Sequence, residues 1–334
     1  MIIKSIKLTN FRNHTDYFLE CDQETSLILG KNGSGKTSVL EAIYILTRGK
    51  SLRATDPEII KRGTDFYRIE LEYMNGEKNI ATYDGNHKTF ISLDKKSRRL
   101  PKKNQYPIVL FLPSDLHLIS SSPSRRRDYF DHIFNEFDEN YNHSLLKYEK
   151  ALKQRNELLK QENINNEAVF SWNILLAKYG IDLYNYRKNF IQDINYSLTK
   201  TYQSIAKNHD EVEIIYQTEV KSPLDNDYLH QLEANFQKDS YLGYTSFGIH
   251  RDDFVFQFNH QEADGSASRG EARSVILALK FIEANLIYQK TNLKPIILLD
   301  DVFSELDETH RKCLVKNFKN NQVIITSVEN FKKP

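Results

Sequence analysis

From residue 1 to about residue 112 apolar and polar positions alternate, as in Ile2-Ile3-Lys4-Ser5-Ile6-Lys7-Leu8 and again from Ile80 to Leu93. A period of two is that of half-buried strands, and the turn pairs Asn75-Gly76 and Asp84-Gly85 between such runs predict hairpins. From Pro113 to about Asn208 the chain becomes long, polar and rich in Tyr, Lys, Asn and Glu. There Leu145, Leu146, Tyr148, Leu152, Leu158 and Leu159 mark one amphipathic helix, and Trp172, Leu175, Leu176, Tyr179, Leu183 and Tyr186 a second. Asn163-Ile164-Asn165-Asn166 between them is a turn, so the two predict a packed helical hairpin. Val212–Tyr216 and Phe254–Phe258 read as strands. Val275, Leu277, Ala278, Phe281 and Ile282 return to a helical period. Ile296-Ile297-Leu298-Leu299 is an unbroken apolar run, the mark of a parallel strand buried on both faces.

The densest chemistry follows the strand Leu27-Ile28-Leu29. Gly30, Lys31, Asn32, Gly33, Ser34, Gly35, Lys36 and Thr37 fit the spacing G-x-x-x-x-G-K-[ST], and Val39-Leu40-Glu41-Ala42-Ile43 starts a helix directly after them. Glycines let backbone N–H groups turn inward onto phosphate oxygens, and the helix N-terminus adds its positive dipole. In this arrangement Lys36 reaches the β- and γ-phosphates and Thr37 places its hydroxyl on Mg²⁺. The second acidic element is Asp300-Asp301, at the C-terminal end of the strand from Ile296, where ligands gather in open α/β sheets. Asp300 is expected in the Mg²⁺ shell and Asp301 beside the attacking water. An Asp-rich turn that merely caps the next helix is the plainer reading of that pair; its company with the glycine loop argues against it.

Ala267-Ser268-Arg269-Gly270-Glu271, before the helical run at Val275, resembles the signature motif of ABC-type ATPases. Ser304-Glu305-Leu306-Asp307 resembles their D-loop. Within that superfamily the chain resembles the RecF family. The blocks that carry the likeness are Leu8–Asn13, Arg48–Arg53, Ser122–Arg127 with Phe130-Asp131, Gly248–Asp253 and Leu299–Asp307. Two positions depart from the family pattern: Ile249 stands where proline is usual, and Glu271 where glutamine is usual, which puts a carboxylate near the nucleotide face. SMC proteins and zinc-hook repair ATPases insert a long coiled coil between their nucleotide motifs; the insertion here is short and lacks a Cys-x-x-Cys and a sustained heptad.

The resemblance implies an α/β fold, an ABC-type P-loop ATPase head. Lobe I, with a mixed sheet, would span 1–112 and 290–334; a largely helical lobe II would span 113–289 and carry the signature motif. It implies ATP and Mg²⁺ as ligands, with Ser268 and Gly270 serving ATP held by a second copy in an ATP-dependent homodimer. It further implies a slow ATPase whose ATP-driven state clamps DNA near gaps, as duplex, gap or junction, and recruits RecR with RecO. The tail Thr326-Ser327-Val328-Glu329-Asn330 lacks the histidine that many ABC ATPases carry after this strand.

Composition changes the picture only in detail. The 334 residues are 40% hydrophobic and 27% charged, as in a globular chain of about two lobes. No run approaches the roughly 18 apolar residues needed to cross a bilayer, and the charged N-terminus reads as a first strand rather than a signal peptide, so no membrane partner and a cytoplasmic location are expected. Cys21 and Cys313 form neither a metal pair nor a disulfide framework. A net charge of +1 makes any DNA contact local. The candidates are the cluster Lys95, Lys96, Arg98, Arg99, Lys102 and Lys103, which reads equally well as a solvated loop, and the triplet Arg125–Arg127. Two other functions share part of the pattern. An ABC transporter ATPase has the same nucleotide motifs, but Asp301 replaces its usual glutamate. A GTP switch would need an Asn-Lys-x-Asp motif, and none occurs. A scaffold that binds ATP without cleaving it is a variant that Glu271 keeps open.

Overall fold

The computed structural model describes residues 2–52, 54–263 and 267–328, so Arg53 of the second sequence block and Glu329 and Asn330 of the tail lie outside it. The chain divides into two compact units, residues 1–116 with 283–334, and residues 117–282.

The first unit begins with β1 (Ile3–Phe11), β2 (His14–Glu20), β3 (Thr25–Leu29), α1 (Lys36–Arg48), α2 (Asp56–Ile59), β4 (Tyr67–Tyr73), β5 (Lys78–Tyr83), β6 (Lys88–Ser92), β7 (Lys95–Ser97) and β8 (Ile108–Phe111). Six of these form an antiparallel sheet in the order β2-β1-β4-β5-β6-β7. The predicted alternation sets its inner face: Tyr67, Ile69, Leu71 and Tyr73 of β4 are buried, and so are Ala81, Tyr83 and Phe90 of the next two strands. Gly76 and Gly85 take the left-handed backbone that the two hairpin turns need. α1 is buried continuously from Val39 to Thr47, which no amphipathic surface helix would be.

The second unit holds α3 (Pro123–Phe137), α4 (Glu139–Leu159), α5 (Asn166–Ala206), β9 (Val212–Gln217), α6 (Asp225–Ala234), α7 (Phe236–Leu242), β10 (Asp253–Phe258), β11 (Gln261–Glu262) and the start of α8 (Arg269–Thr291). α4 and α5 form the expected hairpin, and a small antiparallel sheet, β11-β10-β9, accompanies the helices. The buried face of α4 is Tyr141, Ser144, Tyr148, Ala151, Arg155 and Leu159. That differs from the apolar pattern, for Leu146 is 58% exposed. The buried face instead includes Arg155, whose side chain is wholly buried against Asp239. Its Nε donates to Asn173 Oδ1 at 2.6 Å, and its Nη1 to Asp239 Oδ2 at 2.8 Å and Thr245 Oγ1 at 2.7 Å. A buried charge is tolerated when it is paired and hydrogen-bonded, and hydropathy alone cannot foresee it.

The chain returns to the first unit with β12 (Ile296–Asp300), α9 (Val302–Glu305), α10 (Glu308–Phe318) and β13 (Val323–Ser327). β12 and β13 complete a four-stranded parallel sheet, β3-β13-β12-β8. The mixed character expected of the first lobe therefore takes the form of two sheets, one wholly antiparallel and one wholly parallel. Residues of α1 share a single core with Ile6 and Leu71 of the former and Leu298 and Ile324 of the latter.

Candidate functional site

The glycine loop leaves β3 at Leu29 and enters α1 at Lys36. Its first residue is tied to the neighbouring strand, since Gly30 N donates to Ser327 O at 3.2 Å. Gly33 and Gly35 have φ of 81° and 94°, conformations that residues with a Cβ rarely adopt. Lys31, Asn32, Gly33 and Ser34 are exposed, while Lys36 is buried. A Cβ on Gly35 would run into Asn13 and His14. Those residues brace the loop: Asn13 Nδ2 donates to Gly33 O at 3.1 Å, and His14 Nε2 lies 3.1 Å from Gly35 O. Asn13 lies in the turn between β1 and β2 and His14 opens β2; around this bend Asn10, near the end of β1, and Arg12, in the turn, have φ of 51° and 56°.

Four predicted residues converge at the end of the loop. Lys36 Nζ donates to Gly30 O at 2.7 Å and to Lys31 O at 3.2 Å, and lies 3.5 Å from Asp301 Oδ2. Thr37 Oγ1 donates to the carboxylate of Asp300, with oxygen distances of 2.8 and 3.0 Å. Asp301 has φ of 51°, a strained backbone of the kind found at functional sites. Its Oδ1 is buried with no hydrogen-bond partner, an acceptor left open for a ligand. Thr326 joins the two aspartates: its Oγ1 accepts from Asp301 N at 2.9 Å and lies 2.9 Å from Asp300 Oδ1.

This donor set fits a magnesium nucleotide. Mg²⁺ keeps several waters and is held by one or two carboxylates with substrate phosphates rather than by an all-protein cage. Asp300 beside the Thr37 hydroxyl supplies that minimum, and no cluster of three or more His, Cys, Asp or Glu suited to a metal occurs among the described residues. The loop opens into a cleft of about 710 Å³ lined by Arg12, Asn13, Gly33, Lys36, Lys61 and Asp301 among others. Arg12 is aimed by Glu41, which accepts from its Nε at 2.9 Å and Nη2 at 2.8 Å and also from Ser51 Oγ at 2.6 Å. That pairing holds the Arg12 pKa above its ordinary value.

Ser268 and Gly270 belong to the second unit, at the N-terminus of α8, and are exposed. Ser268 caps the helix. Its N–H donates to Glu271 Oε2 at 2.6 Å, and Glu271 N donates back to Ser268 Oγ at 3.2 Å, the reciprocal pattern of a capping box. In the D-loop segment, Ser304 Oγ donates to Asp301 O at 2.6 Å, and Asp307 caps α10 through His310 N.

The Gly248–Asp253 block is bound up inside the second unit. His250 is half-buried, and both of its ring nitrogens are hydrogen-bonded. Its Nε2–H donates to Thr245 O at 3.0 Å and its Nδ1 accepts from Tyr148 at 2.8 Å. Burial pushes its pKa down to about 4, with Arg251 and Arg127 adding to the effect. Asp252 accepts from Tyr216 and lies 3.4 Å from Arg187 Nη1, and burial raises its pKa to about 6. Of the arginine triplet, Arg126 holds Asp253 through two bonds of 2.8 and 2.6 Å, Arg127 donates to Asp252 O at 2.6 Å, and Arg125 is exposed. Sequence reasoning assigned no site role to Asn13, His14, Glu41 or Thr326. The first two sit in or beside a noted block; Thr326 and Glu41 carry no spacing signal.

The whole chain is similar to known proteins. The AAA ATPase domain family matches residues 1–333. The DNA replication and repair protein RecF of Clostridium novyi is 32% identical over 98% of this chain and 92% of its own length. That of Clostridium perfringens is 34% identical with the same coverage. The solved structure of the recombination mediator RecF with ATP, from the RecFOR pathway, superposes with a TM-score of 0.86 at 29% identity, over all of this chain and 93% of the other. An SMC head bound to the C-winged helix domain of ScpA gives a TM-score of 0.52 at 14% identity over 99% of this chain and 90% of the other, a likeness of fold alone.

Proposed function

Because the chain belongs to the RecF family of DNA replication and repair ATPases, we propose that it is an ATP-driven DNA clamp whose nucleotide state, rather than any metabolite, is its product. The observation that carries the reading is the convergence of Lys36, Thr37, Asp300 and Asp301 on a glycine loop at a helix N-terminus.

Lys36 holds the β- and γ-phosphates, exchanging the carbonyls of Gly30 and Lys31 for phosphate oxygens. Thr37 and Asp300 hold Mg²⁺, which supplies charge neutralisation at the phosphates when bound. Asp301, with its open Oδ1, orients the attacking water for in-line displacement. One copy is incomplete by this account. Ser268 and Gly270 complete the site of a second copy, giving a two-fold ATP-sandwiched homodimer that forms with ATP and parts on hydrolysis. In that state the protein clamps duplex DNA near a gap or junction and recruits RecR, with RecO, as its relatives of the RecFOR pathway would lead one to expect.

The test is ATP hydrolysis with and without duplex DNA by wild type, Lys36→Arg and Ser268→Arg, with sedimentation in ATP and Mg²⁺ alongside. Duplex stimulation and ATP-dependent dimers, both lost in either variant, are expected. A protein that stays monomeric at saturating nucleotide, or hydrolysis indifferent to Ser268, refutes the sandwich.

A further inference from the structure

We infer that the β7 edge of the antiparallel sheet is the surface that grips the phosphodiester backbone of duplex DNA; this rests on the DNA-binding reading above and names the part of the chain that performs it.

Between Lys95 and Gln105 the chain carries Lys95, Lys96, Arg98, Arg99, Lys102 and Lys103 and no acidic residue. The asymmetry is large for a chain of net charge +1. Of its 46 Lys and Arg, setting these six aside leaves 40 against 45 Asp and Glu, so the rest of the molecule is acidic.

The fold holds this segment in a defined shape. β7 pairs only with β6, which leaves it as the sheet's edge. Beyond the strand, Leu100 is 5% exposed and plugs into the core, against Gly49 at the end of α1, where a Cβ would come within 3.2 Å of the Leu100 side chain. Ser97 Oγ donates to Arg99 O at 2.6 Å, Gln105 Nε2 to Leu100 O at 3.3 Å, and Tyr106 N to Thr47 O at 3.0 Å. The backbone is thus pinned at both ends while all six cationic side chains are exposed, and exposed Lys50 follows Gly49 directly. Among the described residues, Lys95, Lys96, Arg98, Arg99 and Lys103 make no ion pair. Their charge is therefore not spent inside the protein.

Lysines on an edge strand also guard against pairing with another sheet. That accounts for Lys95 and Lys96; it does not account for Arg98, Arg99, Lys102 and Lys103, which lie past the strand. An anionic membrane would attract the same charge, but interfacial binding draws on inserted apolar side chains. Leu100 is turned inward, and only Leu93, before the strand, offers an exposed one. A pinned row of guanidinium and ammonium groups suits a regular array of phosphates, and Arg in particular matches their geometry.

The experiment replaces Lys95, Lys96, Arg98, Arg99 and Lys103 together by glutamine and measures duplex binding with ATP across a salt series. The control replaces Lys147, Lys150 and Lys153, exposed on α4, in the same way. Each phosphate that the protein no longer neutralises lowers the slope of log K against log salt by about 0.9. We expect a slope shallower by about 3 to 4, affinity at least about 30-fold weaker, ATP affinity unchanged and the control like wild type. Unchanged affinity and slope in the five-fold variant overturn the inference while leaving the clamp standing. An equal loss in the control overturns it too, as does a loss confined to anionic vesicles with duplex binding intact. A wild type that does not bind duplex at all overturns the functional reading itself.

Discussion

Replacing Thr326 by valine removes one hydroxyl and little else, yet that hydroxyl serves both aspartates of the nucleotide site. Thr326 is wholly buried on β13; it accepts the backbone N–H of Asp301 at 2.9 Å and meets Asp300 Oδ1 at 2.9 Å. Without it the Asp301 N–H faces a methyl group, a desolvation cost of about 1–3 kcal/mol, and a bond to a charged group worth about 1.5–3 kcal/mol is lost. Partial relaxation brings the expected loss to about 2–4 kcal/mol. For a unit of this size each kcal/mol is worth about 2–4 °C, so its melting temperature, followed by calorimetry, should fall by about 4–16 °C. The same bond holds Asp301 at a φ of 51°, so hydrolysis should fall about 10-fold or more in the valine variant, while Thr326→Ser, which keeps the hydroxyl, should recover most of both. A valine variant within about 0.5 kcal/mol of wild type, turning over ATP at the wild-type rate, would refute the role given to this side chain.

Glu271→Gln keeps a capping-box partner but removes a negative charge from the α8 N-terminus. ATP-dependent dimers measured by sedimentation should become about three- to tenfold tighter at low salt, with the gain shrinking as salt is added; equal affinities at all salt concentrations would rule out an electrostatic role for this carboxylate. The unfolded chain protonates His250 near 6.5 and the folded protein resists until about 4, so this group's contribution is full above pH 6.5 and is lost as pH falls towards 4. The stability difference between wild type and His250→Gln, from denaturant titrations at several pH values, should therefore shift against wild type by up to about 3 kcal/mol across that window. Taking the difference cancels the contribution of Asp252, whose raised pKa acts with the opposite sign; a pH-independent difference would mean that His250 is charged when folded.

The residues that identify the site were legible because their spacing is local. Gly30 to Thr37 occupy one turn, and Asp300-Asp301 end one apolar strand. The strands of the antiparallel sheet were legible because each buries one face, and the α4–α5 hairpin because its turn is rich in asparagine. What escaped was whatever depends on a distant partner. Thr326 is an ordinary strand threonine until β13 lies beside β12. Asn13 and His14 brace the glycine loop only after β1 has been placed next to it. Arg155 has the sequence context of a surface residue on an amphipathic helix, and only Asp239 and Thr245 explain its burial. His250 belongs to a block noted only for its family likeness, and its two ring nitrogens are occupied by Tyr148 and Thr245, partners far off or on the other side of a turn.

The order of strands in the parallel sheet also constrains how the protein is made. β3 has one neighbour in that sheet, β13, and Ser26 pairs with Ile324, a partner synthesised about three hundred residues later. Pairings so far apart in sequence form slowly, because loop closure must precede any gain from contact, and domains of a nascent chain otherwise tend to mature in order of synthesis. On the ribosome, then, the helical second unit is free to settle while the glycine loop still lacks the strand that anchors it. The motif that emerges among the first residues is among the last to become a binding site, so a chain stalled before β13 carries the whole phosphate-loop sequence and cannot yet bind nucleotide through it.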